Sequence, residues 1–258
     1  GARRRTIMGM FLAESLLHPE LVPPPDLSGC FGGGDFAALG REMVGLLREL
    51  GLHPGSRVLD IGCGAGRIAH ALLPVLVPDG SYEGFDIFPT GIEWCAEHYH
   101  PRFPNFRFRH VPVYNRLYYP YGAERADRFT FPYPDAAFDL AVASSVFTHM
   151  FPADVAHYLD EVRRVLVPGG GLLATFFLLD PETEAAMAAG RANPVFPQRY
   201  GVFAVANPDS PEDAVAFAAS FAAKLFAAKG ATVRRTTRGH WRGSPGETHQ
   251  DAVLAVFG

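Results

Sequence analysis

The chain has 258 residues, 48% of them hydrophobic and 19% charged, with a formal net charge of −4. That is enough apolar material for one large domain with a buried core, and too little charge for a disordered chain. The slight acidic excess excludes nucleic-acid binding driven by overall charge. The three cysteines, Cys30, Cys63 and Cys95, have spacings that match neither a zinc ribbon nor a small disulfide framework, which points to a reducing, cytoplasmic setting.

From the start of the chain, Arg3, Arg4 and Arg5 before an apolar run resemble the opening of a secretory signal. Glu14 interrupts that run, however, and no small-x-small cleavage site follows before Pro19. Ile7, Met10, Phe11 and Leu17 recur at near-helical spacing, so a short amphipathic helix is expected there. No apolar stretch reaches the ~20 residues that span a bilayer. We assign residues 1–50 to a helical N-terminal extension, with Phe31 to Asp35 as a lid, and 51–258 to the main domain.

From residue 57 onward, short β-rich runs alternate with helical ones. Strands are expected over 57–61, 81–86, 105–110, 138–144 and 171–177, with helices over 66–77, 91–99 and 153–166. This is the pattern of parallel strands with crossover helices, a doubly wound α/β sheet. An Ala-rich helix is expected over 211–229, with Pro near its start and Gly230 past its end. Strands over 232–236 and 252–257, with no helix between them, then predict an antiparallel C-terminal edge. Residues 19–36, 111–134 and 180–210 do not fit the alternation. The last two are read as insertions on the substrate side.

The most informative segment is V-L-D-I-G-C-G-A-G-R (58–67). Strand, glycine loop and helix in that order let backbone approach a nucleotide closely. The spacing D-x-G-x-G-x-G differs from the G-x-G-x-x-G of a pyrophosphate site. An acid two residues before the first glycine repels a diphosphate and suits a cationic ligand. Asp86 ends the second strand 24 positions after Gly62, where a carboxylate can accept from both hydroxyls of a ribose.

These motifs, with Y-E-G-F-D-I (82–87), F-P-Y-P-D-A-A-F-D-L-A-V-A-S-S-V-F-T-H (131–149) and E-V-R-R-V-L-V-P-G-G-G (161–171), resemble the class I S-adenosylmethionine-dependent methyltransferases. The resemblance implies a Rossmann-like, mostly parallel seven-stranded sheet and S-adenosyl-L-methionine as cofactor, with S-adenosyl-L-homocysteine as product. It implies that Gly62, Gly64 and Gly66 wrap the cofactor, with Cys63, Arg67 and Ser144 beside them. Asp60 would lie near its amino group, Asp86 would hold the ribose, and Ile87 would pack beside the adenine. Asp127 falls at the offset of an adenine-binding acid.

Ser144 to Met150 leave the fourth strand where cofactor and acceptor would meet, which makes His149 the candidate general base. Tyr114, Phe147, Met150 and Tyr200 are the candidate acceptor contacts. No His/Asp/Glu set has ligand spacing, so no metal is expected. We therefore expect methyl transfer to a small molecule, with oxygen the first choice of acceptor atom and nitrogen or carbon the alternative. Neither nucleic acid nor a membrane is expected as partner, and a homodimer stays open. A module that binds the cofactor without methylating and a nicotinamide oxidoreductase are the rivals from other classes.

Overall fold

Val58, Leu59, Asp60 and Ile61 are all buried in strand β1 (Arg57–Ile61), as expected of a strand covered on both faces. In the computed structural model, which describes residues 18–31 and 34–258, β1 is the centre of the parallel region. The helix expected within 1–17, and two glycines of the expected lid, lie outside the described residues. β1 pairs in parallel with β2 (Ser81–Asp86) and β4 (Phe138–Ala143). β2 in turn pairs with β3 (Phe106–His110), and β4 with β5 (Leu166–Leu179). The order β3-β2-β1-β4-β5 reverses direction at β1 and β4, and that switch point opens a crevice at the carboxyl ends of the strands.

The strand side chains alternate between two apolar layers. Leu59, Ile61, Ala141, Ala143, Leu172 and Ala174 face one layer, and Val58, Leu140, Val142, Leu173 and Leu254 face the other. Helix α1 (Phe36–Glu49), α2 (Arg67–Leu72) and α3 (Pro89–Tyr99) cover the second layer. Asp35 caps α1 by accepting from the Ala38 amide at 2.9 Å. Gly40 lets α1 and α2 meet closely, since a Cβ there would stand 2.6 Å from the Arg67 carbonyl oxygen. Helix α4 (Pro152–Val165) lays Val155, Tyr158, Leu159, Val162 and Val165 against the first layer.

Several boundaries differ from the expectations. α2 is shorter than 66–77 because Pro74 follows one residue after Leu73 and has no amide hydrogen to continue a helix. The expected helix over 211–229 is three elements: a 3-10 turn (Pro211–Asp213), strand β8 (Val215–Ala218) and helix α6 (Ala219–Ala228). Val215 and Phe217 enter the main core, while Ala216 faces a third cluster with Phe177, Phe196 and Trp241. That burial on both faces outweighs the helix propensity of the alanines. Residues 180–210 hold helix α5 (Pro181–Ala188) and a hairpin of β6 (Gln198–Tyr200) and β7 (Phe203–Val205), which joins β8. The tip of β5, Phe177 to Leu179, pairs with β8.

The antiparallel finish is present, with one refinement. β10 (Asp251–Phe257) is antiparallel to both β5 and β9 (Ala231–Thr237), so it lies between them, and β9 is the outer strand.

Candidate active site

The β1–α2 loop is built by backbone bonds to β2. The amides of Gly62 and Cys63 both donate to the Phe85 carbonyl, at 2.8 and 3.1 Å. The Gly64 amide donates to Asp86 Oδ2 at 2.7 Å, and the Phe88 amide donates to Oδ1 at 2.8 Å. Gly62, Gly64 and Gly66 have φ of 72°, 56° and 84°, the left-handed region where glycine carries no steric penalty. At Gly62 a Cβ would also stand 2.4 Å from Val146 Cγ2.

One cavity of about 900 Å³ opens over this loop at the carboxyl ends of the strands. Gly62, Arg67, Asp86, Ile87 and Ser144 line it, as do Tyr114, His149 and Met150. Eight residues singled out in the sequence, from both the cofactor and the acceptor sets, are therefore brought together. Ile87, Phe88, Val113 and Ala126 add apolar surface to the cavity wall. The Asp86 oxygens, each holding one backbone donor, keep further lone pairs for a ribose diol. Burial raises the Asp86 pKa, and the backbone bonds counter that shift by favouring the ionised form.

The other candidates lie elsewhere. Asp60 sits beneath the loop, 1% exposed, and accepts from Tyr82 Oη at 2.6 Å. Its buried Oδ1 has no hydrogen-bond partner among the described residues, and burial raises its pKa to about 7. Cys63 fills the space between loop and β2, where Gly84 leaves room for its sulfur. Gly66 heads α2 and packs over Cys95 and Tyr99. Asp127 does not line the cavity. Arg125 grips it through two bonds, at 2.9 and 2.7 Å, and holds its pKa near 2, while its neighbour Ala126 forms the wall.

Phe147 is fully buried between Phe176 and Tyr158, so it is core and not a wall of the cavity. Tyr200 stacks on Phe203 in the β6–β7 hairpin, away from the cavity. From residues 190–203 it is Pro194, and not Tyr200, that lines the cavity.

His149 is held in one tautomer. Its Nδ1 lies 2.9 Å from the Glu212 carbonyl oxygen, which can only accept, so Nδ1 carries the hydrogen and Nε2 keeps its lone pair. Burial lowers its pKa below the usual histidine value, and the imidazole is neutral at pH 7. Tyr118 meets the ring edge-on at 5.1 Å, and Asn115 Nδ2 donates to the His149 carbonyl at 3.4 Å.

Sequence reasoning missed the floor of the cavity. The Ser145 amide donates to Thr175 Oγ1 at 2.7 Å, Thr175 donates to Gln250 Oε1 at 2.6 Å, and Gln250 Nε2 donates back to Ser145 Oγ at 2.9 Å. Ser145 follows β4, Thr175 lies within β5, and Gln250 precedes β10. The one signal for them was the position of Ser145 and Gln250 at strand boundaries. His240, His249, Glu42 and Met43 also line the cavity.

The architecture is the fold of S-adenosylmethionine-dependent methyltransferase structures, with TM-scores of 0.56 and 0.57 to those of Methanosarcina mazei and Aquifex aeolicus. A family model described as a methyltransferase domain matches residues 59–174, from β1 into β5. The 27-O-demethylrifamycin SV methyltransferase of Amycolatopsis mediterranei is 35% identical over 132 residues, which is 51% of this chain and 42% of that protein. The fatty-acid O-methyltransferase of Mycolicibacterium smegmatis is 36% identical over 124 residues, 47% of this chain and 37% of that protein. The matches thus span less than half the length of these relatives. The crystal structure of the Burkholderia thailandensis 1,6-didemethyltoxoflavin-N1-methyltransferase, with its substrate and S-adenosylhomocysteine bound, superimposes with a TM-score of 0.55 at 19% identity. That superposition covers 86% of this chain and 79% of the other. Among the described residues no helix is long and apolar enough to cross a membrane, and no group of three potential ligands could hold a metal ion.

Proposed function

We propose that this chain transfers the methyl group of S-adenosylmethionine to a hydroxyl of a small, largely apolar molecule. The observation that carries this reading is that a single cavity is lined both by Gly62 and Asp86 of the glycine-loop clasp and by a neutral imidazole with its Nε2 lone pair available. Gly62, Asp86, Ile87 and Phe88 would hold the cofactor. When bound, that group supplies an electrophilic methyl on a sulfonium centre.

His149 Nε2 takes the proton of the acceptor hydroxyl as the oxygen–carbon bond forms and the sulfur–carbon bond breaks. The Glu212 carbonyl keeps the imidazole in the tautomer this needs and stabilises the imidazolium that results. Tyr114, Tyr118, Met150 and Phe177 wall the acceptor and exclude water, so the protein's further contribution is alignment. The relatives named for O-methyl transfer to fatty acid and to a rifamycin support the choice of oxygen and of an apolar acceptor body.

The test is calorimetric titration with S-adenosylmethionine, S-adenosylhomocysteine and NAD, followed by a screen of hydroxylated acceptors for methyl incorporation. Binding of the first two, with no binding of NAD and with methyl recovered as an ether or ester, is the expected result. Cofactor binding with no transfer to any acceptor would leave a binding module, and transfer to nitrogen or carbon would replace oxygen.

A further inference from the structure

His240 and His249 line the same cavity as His149, with His249 Nδ1 3.3 Å from His240 Nε2 and ring centroids 5.0 Å apart. The pairing is built, not incidental. The His240 amide donates to the Thr248 carbonyl at 2.8 Å, and the Trp241 amide donates to the His249 carbonyl at 3.0 Å. Behind them, the fully buried Asp251 accepts from the Gly239 amide, Trp241 Nε1 and Arg242 Nε, at 2.9, 2.9 and 2.7 Å. Arg242 reaches on to Asp180 at 2.8 Å. A buried ion-pair network therefore fixes the two segments that carry the imidazoles, while the rings themselves stay at the cavity wall.

Two neutral imidazoles that share one hydrogen bond have a defined remaining capacity. If His249 Nδ1 donates, its Nε2 accepts and His240 Nδ1 donates. If His240 Nε2 donates, both outer nitrogens exchange roles. In either state the pair presents one donor and one acceptor. A hydroxyl is the simple group that both donates and accepts. A carboxylate could use only one of the two nitrogens and would face Glu42 on the same wall. An ammonium could likewise use only one. Burial and the neighbouring His240 both hold the pKa of His249 below its usual value, which favours its neutral form.

We propose that His240 and His249 bind a second hydroxyl of the acceptor, distinct from the one facing His149. The acceptor is then an apolar molecule with at least two hydroxyls, and the pair selects it over mono-alcohols. This inference rests on the small-molecule reading of the cavity given above.

The test uses linear α,ω-diols from hexanediol to dodecanediol, each beside the mono-alcohol of the same chain length. Their affinity for the S-adenosylhomocysteine-loaded protein is measured by calorimetry, and methyl transfer from S-adenosylmethionine is measured separately. One or two net hydrogen bonds predict that at least one diol binds roughly 5–20-fold more tightly than its mono-alcohol. In His249→Phe and His240→Phe that ratio falls to near one, and His249→Gln, which keeps a donor and an acceptor, recovers part of it. A melting curve of each variant establishes that it is folded.

If no diol outbinds its partner, or if the preference persists in both Phe variants, the inference is overturned. A His249-dependent preference without any methyl transfer would uphold the hydroxyl site and overturn the methyltransferase reading, so the two fail separately.

Discussion

Asp86 Oδ2 accepts the Gly64 amide hydrogen at 2.7 Å, so the acid that ends β2 is also the clasp of the loop that follows β1. The same carboxylate holds the Phe88 amide. It thus shapes the cavity before any ligand arrives, and its loss acts on both loop order and ligand contact.

Asp86→Ala is therefore expected to weaken S-adenosylmethionine binding by about 1.5–3 kcal/mol, roughly tenfold to a hundredfold or more in Kd. Its melting temperature should also fall without cofactor, because the buried Gly64 amide and the part-buried Phe88 amide lose their acceptor. Asp127→Ala is the contrast. Its ion pairs with Arg125 and Arg128 lie off the cavity, so affinity should stay within a factor of about two. Calorimetry on the two variants checks both statements.

Gly62→Ala meets two separate obstacles. Its φ of 72° costs an L-residue roughly 1–2 kcal/mol, and the new methyl would overlap Val146 Cγ2. Adding Val146→Ala should relieve the overlap but not the backbone strain. A double-mutant cycle by denaturant unfolding should show favourable coupling between the two positions while the double variant stays less stable than the parent. Additive effects would mean that Val146 moves aside at no cost.

Asp60 gives a signed pH dependence. Its folded pKa of about 7 stands above the ordinary value of 3.8. Between about pH 4 and about pH 7 the native state therefore keeps a proton that the unfolded chain has released, and stability falls as pH rises across that window. Below it both states are protonated, and above it both are ionised. Asp60→Asn should flatten the slope and be relatively more stable at the upper end, by an amount on the order of 4 kcal/mol. Urea melts of parent and variant across that range measure it.

His149 must be neutral to act, and burial holds its pKa below 6.5. With an aliphatic alcohol as acceptor, kcat should be flat above that lowered value and fall about tenfold per pH unit below it. His149→Gln should lower kcat by roughly a hundredfold or more and remove this limb, with KM for the cofactor little changed. An unaltered pH profile in the variant would assign the proton transfer elsewhere.

The glycine loop, the acid ending β2 and the five parallel strands were legible in the residues because each signal is local. A run such as Val58 to Ile61 is apolar at three of its four positions, and left-handed turns need glycine at fixed offsets. β8 was not legible, because Val215 to Ala218 is short and rich in alanine, and its pairing with the tip of β5 is a long-range contact. Phe147 and Tyr200 show the same limit. An aromatic near a site in sequence can serve core or cavity, and only packing against Phe176 or Phe203 separates them.

By itself the sequence determined the order of strands and helices from β1 to β5, the loop that suits S-adenosylmethionine, and the arrival of His149 at the cofactor's edge of the sheet. Only the tertiary structure decided which face each side chain turns to the cavity. It withdrew Asp127 into a grip by Arg125, set the His149 tautomer through Glu212, and joined Ser145, Thr175 and Gln250 into one floor. The physical reason is distance along the chain: hydrogen bonds between strand ends as far apart as Ser145 and Gln250 carry no local periodicity, while backbone conformation and burial pattern do.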